Sequence, residues 1–391
     1  MKRSGAIRYA TANRFEPPQP VTDDGPTSGA ICPQSPSRLE GVMGEANPRL
    51  PQSEDCLDLS VVTPACDGAG RPVMVWLHGG AFVSGGGLQA WYDGAKLCQE
   101  QGVVVVSVNY RLGVFGFLHL AGVSQGNLGL LDQLEALRWV QRRIADYGGD
   151  PSNVTVFGQS AGGLSTALLL GMDEARGLFH RAIVQSGPLM STLRPQQADQ
   201  FGRELANELA ADPRCVTPDE LLRATRAAVA HRVRSPLFIP FAPVLGVYPV
   251  VAEPLSADGN GRDVMYGFTR EEVTAFGVPL PVAPLPSRLI FGRHMRRFRE
   301  RLAATGSRVF SYQIDWRPMG SPFGATHCIE LPLLLGGRES WSLAPMLGDT
   351  PWDEVERFGR AVRAAWASFA RDGTPDIDGL IGQPITIRRE K

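Results

Sequence analysis

Residues 154–170, VTVFGQSAGGLSTALLL, constrain the fold of this chain more than any other stretch. The β-branched run at 154–157 predicts a short buried strand, and the Leu- and Ala-rich run after Gly162 predicts a helix. Between them lies Gly158-Gln159-Ser160-Ala161-Gly162. This segment fits the G-x-S-x-G turn, in which flanking glycines let strand and helix approach closely while the serine hydroxyl stands above the sheet. Ser160 is therefore a candidate nucleophile.

A second G-x-S-x-G copy, Gly122-Val123-Ser124-Gln125-Gly126, serves as an internal control. The pattern alone is a weak signal, because glycine supplies 44 of the 391 residues. No strand is predicted to run directly into Ser124, so the strand-turn-helix context is missing there. We interpret Ser124 as a loop serine.

The charge balance argues against several classes of partner. Lysine plus arginine total 39 against 40 acidic residues, a formal net charge of -1, so nothing points to nucleic acid or an anionic membrane. Residues 1–10 lack the apolar run of a signal peptide and no stretch approaches a transmembrane span, which predicts a cytoplasmic protein. The six cysteines show no spacing of a zinc site, so no metal site is expected. We expect a monomer or a small homo-oligomer.

The order of predicted elements indicates an α/β fold. Strands are predicted at 72–77, 103–108, 154–157, 182–185, 264–268 and 308–314. Helices alternate with them, among them one with Asn127 as its N-cap and a closing helix at 351–371. This alternation implies a mostly parallel central sheet with helices on both faces.

The remaining segments complete a single predicted domain that spans residues 1–391. Residues 1–71 are expected to be loop-rich, with one edge strand near 57–62 and regular structure starting at residue 72. Residues 188–260 show helical periodicity and are expected to form a cap over the carboxyl edge of the sheet.

A serine nucleophile needs a general base, nearly always a histidine held by a carboxylate. In α/β-hydrolases the chain order is serine, acid, histidine. The candidates after Ser160 are His180, His231, His294 and His327. The first two precede any plausible acid on a later strand, and His294 lies among arginines on a helix predicted to be exposed. His327 lies in a loop after the strand at 308–314, where this fold places its base.

Several carboxylates compete for the role of the acid. Glu271 and Glu272 stand just past the end of the strand at 264–268, and periodicity does not separate them. Asp263 and Asp315 remain alternatives.

A glycine-dense loop, HGGAFVSGGG at 78–87, follows the strand at 72–77. Such a loop can turn backbone N–H groups toward a ligand, and ligands collect at the ends of central strands in α/β sheets. The loop lacks the sequence of a phosphate cradle. We interpret it as a ligand-facing loop rather than a simple flexible turn.

Seven segments occur in one order: SEDCLDLSVVTP (53–64), WLHGGAFVSGG (76–86), VNYRLGVFGFL (108–118), GNLGLLDQLEALRWV (126–140), FGQSAGG (157–163), GFTREE (267–272) and HCIELPLLLG (327–336). Together they resemble the type B carboxylesterases, the family of cholinesterases and bacterial para-nitrobenzyl esterases. The resemblance covers most of the chain from residue 7 to about 375. It implies an α/β-hydrolase fold and hydrolysis of small-molecule carboxylic esters through an acyl-enzyme, without a cofactor.

The resemblance also implies roles for six residues. They are Ser160 as nucleophile, Glu272 as acid, His327 as base, and the backbone N–H groups of Gly80, Ala81 and Ala161 as the oxyanion hole. It thereby favours Glu272 over Glu271.

The chain departs from the family pattern at several places. Gln159 stands where the family usually has Glu, and Val273 stands where Gly usually follows the acid pair. Neither replaces a reacting group. The N-terminus, the segment from Glu272 to His327 and the C-terminal tail are all short for the family, which predicts a reduced helical cap and an open site.

Cys32 and Cys56 match the positions of a family disulfide, a bond that a cytoplasmic location disfavours. The loop between them contains no tryptophan. This argues against the aromatic site with which cholinesterases hold a quaternary ammonium.

Two alternatives to a working ester hydrolase stay open. One is a non-catalytic relative that serves as a binding or adhesion module, against which the intact set of Ser160, Glu272 and His327 argues. The other is a family member too truncated to turn over well.

Overall fold

Strands and helices alternate along most of the chain in a computed structural model that describes residues 1–22, 27–46, 48–230, 239–254 and 259–390. The strands are β1 (Lys2–Arg3), β2 (Ile7–Arg8), β3 (Ala10–Thr11), β4 (Gln19–Pro20), β5 (Asp58–Thr63), β6 (Arg71–Leu77), β7 (Val104–Val108), β8 (His119–Leu120), β9 (Ser124–Gln125), β10 (Gly149–Gln159), β11 (Arg181–Gln185), β12 (Asp263–Thr269), β13 (Val309–Ile314) and β14 (Ile385–Arg389).

The helices are α1 (Glu40–Met43), α2 (Ala95–Gln101), α3 (Gly113–Phe117), α4 (Leu128–Arg143), α5 (Ala161–Leu170), α6 (Pro195–Asn207), α7 (Pro218–Ala230), α8 (Pro284–Ser287), α9 (Arg293–Ala303), α10 (Leu331–Leu334), α11 (Arg338–Trp341) and α12 (Trp352–Asp372). Short 3₁₀ segments connect several of them, including Glu272–Phe276, which follows β12.

The central sheet has ten strands in the order β1-β5-β7-β6-β10-β11-β12-β13-β14, with β2 also paired to β5. The six strands from β7 to β13 run parallel. On the flanks, β5 and β14 pair antiparallel with their neighbours. The predicted mostly parallel sheet is confirmed.

Both faces of the sheet are covered by helices, as the alternation of elements predicts. Successive residues of β6 enter opposite cores: Val73, Val75 and Leu77 pack on one side and Met74 and Trp76 on the other. Side chains of α4 and α5 fill the first core, and those of α2 and α12 fill the second. Because each large apolar side chain stabilises the fold by about 1.5–3 kcal/mol on burial, this two-sided packing holds the ends of the central strands in place.

The N-terminal region is more regular than the sequence predicts. The expectation was one edge strand near 57–62 and regular structure only from residue 72. Strand β5 instead lies inside the sheet, between the short strands β1 and β2 on one side and β7 on the other. Both outer strands have two residues, too few to show a periodic pattern.

The start of α4 also differs from the prediction. Asn127 precedes the helix but makes no side-chain capping bond, and its φ is 57°. Its amide donates to the backbone carbonyls of Val244 and Val247, each at 2.9 Å, and its oxygen accepts from the N–H of Val244 at 2.7 Å. Asn127 therefore ties α4 to the segment that follows α7.

Helices α6 and α7 lie in the predicted cap region, 188–260. They bury apolar faces that include Phe201 and Leu221, and Phe201 meets Phe241 edge-on with ring centroids 5.0 Å apart. Residues 231–238 and 255–258 of the predicted cap lie outside the described residues.

Candidate active site

Ser160 lies at the sharp turn between β10 and α5, with φ 58° and ψ -118°. Its N–H donates to the carbonyl of Gln185 at 2.9 Å, which ties the turn to β11. A Cβ on Gly162 would lie 1.9 Å from the carbonyl oxygen of Leu77, so only glycine permits this approach of helix and strand. The strained serine and the close glycine are the features of a nucleophile elbow.

His327 and Glu272 form a buried pair beside this turn. Nδ1 of His327 is hydrogen-bonded to Oε2 of Glu272. Oε1 of Glu272 accepts from Ser186 Oγ at 2.6 Å and from the N–H of Thr269 at 2.8 Å. Both carboxylate oxygens are thereby fixed, and the imidazole is held in one orientation.

The opposite ring nitrogen of His327, Nε2, takes no part in this pair. Nε2 has no hydrogen-bond partner among the described residues, although it is buried. His327 and Ser160 line the same cavity, of about 650 Å³. A buried polar atom without a partner is costly, and an imidazole nitrogen beside a serine is suited to accept its proton.

The structure distinguishes Glu271 from Glu272, which the sequence pattern alone does not. Glu271 turns away from His327 and accepts from the N–H of Ala325 at 2.8 Å and from Arg317 Nε at 3.2 Å. Asp263 pairs with Arg308, and Asp315 accepts from Gln313 at 2.6 Å. Glu272 is the carboxylate that the fold brings to His327.

The glycine-dense loop places backbone donors at the catalytic cavity. Gly80 and Ala81 line the cavity with Ser160, and their φ values are 112° and 55°. Ala161 is the first residue of α5, directly after Ser160. Hydrogen bonds from the N–H groups of these three residues to other described residues are absent. Their role as the oxyanion hole stays a prediction.

The other histidines considered as the base, and the second G-x-S-x-G serine, are not part of this site where the structure describes them. His180 accepts a bond from the N–H of Val154 at 3.2 Å, and His294 lies on α9. His231 lies outside the described residues. Ser124 lies within the two-residue strand β9, which pairs with β8, and not at a turn between a strand and a helix.

The structure contains Cys32 and Cys56 as free, buried thiols. They lie next to each other, since a hydrogen bond to Cys32 is the largest cause that raises the pKa of Cys56. The family disulfide whose positions they match is not formed in this structure.

The sequence model of the Carboxylesterase family matches residues 5–280. The chain belongs to this family. It is 42% identical to a probable N-octanoylanthranilate hydrolase of Rhodococcus erythropolis, covering 94% of the chain and 88% of the relative. It is 36% identical to the para-nitrobenzyl esterase of Bacillus subtilis (strain 168), covering 93% and 83%.

A solved PNB esterase structure superposes with a TM-score of 0.86 at 30% identity, covering 99% of the chain and 93% of that structure. This carboxylesterase therefore has the α/β-hydrolase fold and is a serine hydrolase of carboxylic esters.

A residue that the sequence argument missed, Glu330, lies behind the pair of His327 and Glu272. Tyr312 donates to its Oε2 at 2.7 Å, and Ser186 Oγ lies 3.4 Å from its Oε1. Burial raises the pKa of Glu330 to about 8. Glu330 is thus mostly uncharged at neutral pH and does not compete with Glu272 for a positive partner. Its only sequence signal is its place three positions after His327.

The residue before the nucleophile, Gln159, was noted in the sequence only as a departure from the family. The structure gives it a contact: its Nε2 donates to the carbonyl of His327 at 2.8 Å. The His327 ring is flanked by Phe276 and Phe291, with ring centroids 5.2 and 5.6 Å away. His327 is therefore held through both its backbone and its ring.

Groups of three or more His, Cys, Asp or Glu that could bind a metal ion do not occur in the described part of the carboxylesterase. Within the same residues, no helix has the length and apolar character needed to span a membrane.

Proposed function

We propose that Ser160, His327 and Glu272 form the catalytic triad of this carboxylesterase. The observation that carries the proposal is the Glu272–His327 hydrogen bond, together with a cavity that His327 and Ser160 both line and a His327 Nε2 that has no hydrogen-bond partner among the described residues. Glu272 selects the tautomer with the proton on Nδ1, which leaves Nε2 as the acceptor.

In the first half of the reaction, Ser160 Oγ attacks the ester carbonyl as His327 Nε2 takes its proton. Glu272 stabilises the imidazolium, and the N–H groups of Gly80, Ala81 and Ala161 bind the oxyanion. The intermediate collapses, and the alcohol leaves with the proton from His327. Water then repeats the sequence on the acyl-enzyme, releasing the acid and restoring Ser160.

We infer that the substrates are small to medium carboxylic esters. The catalytic cavity of about 650 Å³ adjoins an apolar side cavity of about 1350 Å³, and both are lined by Phe276. The octanoyl group named for the Rhodococcus relative is of that medium length. The reduced cap, the single-domain organisation, the cytoplasmic location and the oligomeric state stay predictions of the sequence.

The proposal is tested with purified protein and p-nitrophenyl esters of two to eight acyl carbons. Ser160→Ala and His327→Ala are each expected to lower kcat/KM by about 10⁴-fold or more. Ser124→Ala and His294→Ala are the matched controls and are expected to leave kcat/KM within about twofold.

A pre-steady-state burst of one p-nitrophenol per chain is expected, because an acyl-enzyme accumulates when its hydrolysis is slow. Turnover that survives Ser160→Ala would contradict the triad. A folded protein that shows neither turnover nor labelling by a fluorophosphonate would favour the non-catalytic alternative.

A further inference from the structure

Residues 280–303 form one continuous helical run beside the catalytic cavity. The run contains a 3₁₀ turn, α8, a π-helical turn at Arg288–Gly292 and α9, with right-handed helical backbone angles at each junction. Ile290 and Phe291, in the middle of the run, line the catalytic cavity. The outer surface of this run therefore lies next to the candidate active site.

One face of the run packs on the protein core. Its residues are buried and recur every three or four positions: Ala283, Ser287, Phe291, Met295, Phe298 and Leu302. This spacing corresponds to one side of a helix, so the residues of the opposite side face solvent.

The solvent side begins with large apolar side chains. Val282, Leu285 and Leu289 are 58%, 66% and 53% exposed, and they lie three and four positions apart. Residues at this spacing are neighbours on a helix surface, so the three side chains form one apolar stripe. Single exposed apolar residues are common, but an aligned set beside an active-site cavity indicates a contact surface.

The solvent side becomes basic further along the chain. Arg293 and Arg296 continue the spacing of the apolar stripe, and Arg288 and Arg297 flank it. All four are exposed, and in the described part of the chain none of them forms an ion pair with a carboxylate. Residues 280–303 contain six arginines and one acidic residue, Glu300. The balanced charge of the whole chain hides this local excess.

We propose that this docking face, made of the three apolar side chains and the four arginines, binds an anionic phospholipid surface. Helices that lie in a membrane interface combine an exposed apolar side with basic residues in the same way. A guanidinium pairs with a phosphate through parallel hydrogen bonds, while aliphatic side chains enter the acyl region. Docking brings the catalytic cavity to esters dissolved in the lipid.

The combination of features favours lipid over two other occupants. A nucleic acid would use the arginines, but it gains little from a stripe of aliphatic side chains. A second copy of this chain, related by a two-fold axis, would bring like charges together. Because the net charge of the chain is -1, attraction to an anionic surface has to come from a local excess of positive charge.

The test is co-flotation of the purified protein with vesicles of two compositions, phosphatidylcholine alone and phosphatidylcholine with an equal part of phosphatidylglycerol. At about 20 mM NaCl we expect at least about tenfold tighter binding to the anionic vesicles, and about 500 mM NaCl should remove most of this difference. Equal binding to both compositions, or no binding to the anionic vesicles, overturns the proposal. Because the readout is binding by the parent protein, this result does not depend on the triad.

The basic half of the docking face is tested with Arg293→Gln/Arg296→Gln. This double variant is expected to bind anionic vesicles about 30-fold more weakly, because each arginine near such a surface contributes separately. The matched control, Arg176→Gln/Arg203→Gln, removes the same charge from exposed arginines paired with acidic residues elsewhere. It is expected to stay within about twofold of the parent.

The apolar half is tested with Leu285→Ser/Leu289→Ser, which should weaken binding about tenfold or more. The matched control is Leu343→Ser/Ile381→Ser, because these side chains are 87% and 78% exposed but lie outside the docking face. Urea unfolding checks that every variant folds. Equal losses in a test variant and its control overturn the proposal.

Two further measurements distinguish the other occupants. Tighter binding to a DNA duplex than to anionic vesicles would assign the face to nucleic acid. A dimer in light scattering that dissociates in Leu285→Ser/Leu289→Ser would assign the face to a second copy of the chain. Either result overturns the lipid surface as the occupant.

Discussion

The side-chain amide of Gln159 donates a hydrogen bond to the backbone carbonyl of His327, 2.8 Å away. Gln159 is the last residue of β10, so the strand that presents Ser160 also holds the loop that carries His327. A carboxylate at this position cannot donate such a bond. The distance between Ser160 and His327 is therefore coupled to one amide group.

Replacement of that amide should affect turnover more than substrate binding. In Gln159→Met the carbonyl of His327 loses its donor, so we expect kcat to fall about tenfold while KM changes less than about twofold. The control is Gln133→Met, which removes a buried 3.1 Å bond to Ser165. It should lower the melting temperature without lowering kcat, and equal kcat losses in both variants would contradict the positioning role.

Glu271 and Glu272 are adjacent in sequence but should respond differently to the same change. Glu272→Gln removes the anion that orients His327, and kcat is expected to fall about 10³–10⁴-fold with little change in stability. Glu271→Gln weakens the link from Arg317 and Ala325 and should cost about 1–3 kcal/mol of unfolding free energy, while kcat falls less than about tenfold. Kinetics and urea unfolding of both variants measure this, and the reverse pattern would make Glu271 the acid.

The buried carboxyl of Glu330 should make stability depend on pH. Its folded-state pKa is raised to about 8 by burial, above the ordinary value of 4.5. Between these pH values the native state retains a proton that the unfolded chain releases, so stability falls as pH rises from about 5 to 8. Glu330→Gln, which is neutral at every pH, should lose less stability over this range.

Melting temperatures at pH 5, 6, 7 and 8, at constant ionic strength, measure the effect. The control is Glu356→Gln: its carboxylate pairs with Lys96 and Arg363 and has a lowered pKa, so it titrates below this range. Its melting temperature should change with pH in the same way as that of the parent protein. If the melting temperature of Glu330→Gln also followed the parent, the raised pKa of Glu330 would be contradicted.

Because α5 lies very close to the end of β6, we expect that Gly162 cannot be replaced by a larger residue without loss of stability. The Cβ of Gly162→Ala would lie 1.9 Å from the carbonyl oxygen of Leu77. Because a Cβ is fixed to its main chain and the oxygen is a main-chain atom, relief requires the helix to move. We expect a loss of about 3 kcal/mol or more in urea unfolding, together with lower activity. Gly41→Ala in α1 has no atom within 4 Å of its added Cβ and should change stability by less than about 1 kcal/mol. Similar small losses in the two variants would show that the elbow relaxes easily.

The parallel core of the fold was predictable because its strands are long, apolar and bounded by clear turns. The run at 154–157 lies in β10, and all of the run at 103–108 except its first residue lies in β7. Strands β1 and β2 were missed because two residues have no period, and β5 was taken for an edge because its partners were not recognised. Local patterns report on local structure and not on neighbours in the sheet.

The sequence predicted which residues form the candidate site, but not the hydrogen bonds that hold them in place. A loop position identified His327, and a family resemblance was needed to separate Glu272 from Glu271. No pattern indicates that Glu330 lies against Ser186 and Tyr312, or that Asn127 binds the segment near Val244, because these bonds join residues far apart in the chain.

Positive φ angles at Ser160, Ala81 and Phe82, of 58°, 55° and 59°, place three left-handed non-glycine residues at or beside one cavity. Each conformation costs on the order of 1 kcal/mol, which glycine would relieve. Directed evolution that scores only heat resistance would therefore enrich Ser160→Gly, a variant without the hydroxyl. Any engineering of this enzyme for industrial use should screen for turnover in every round.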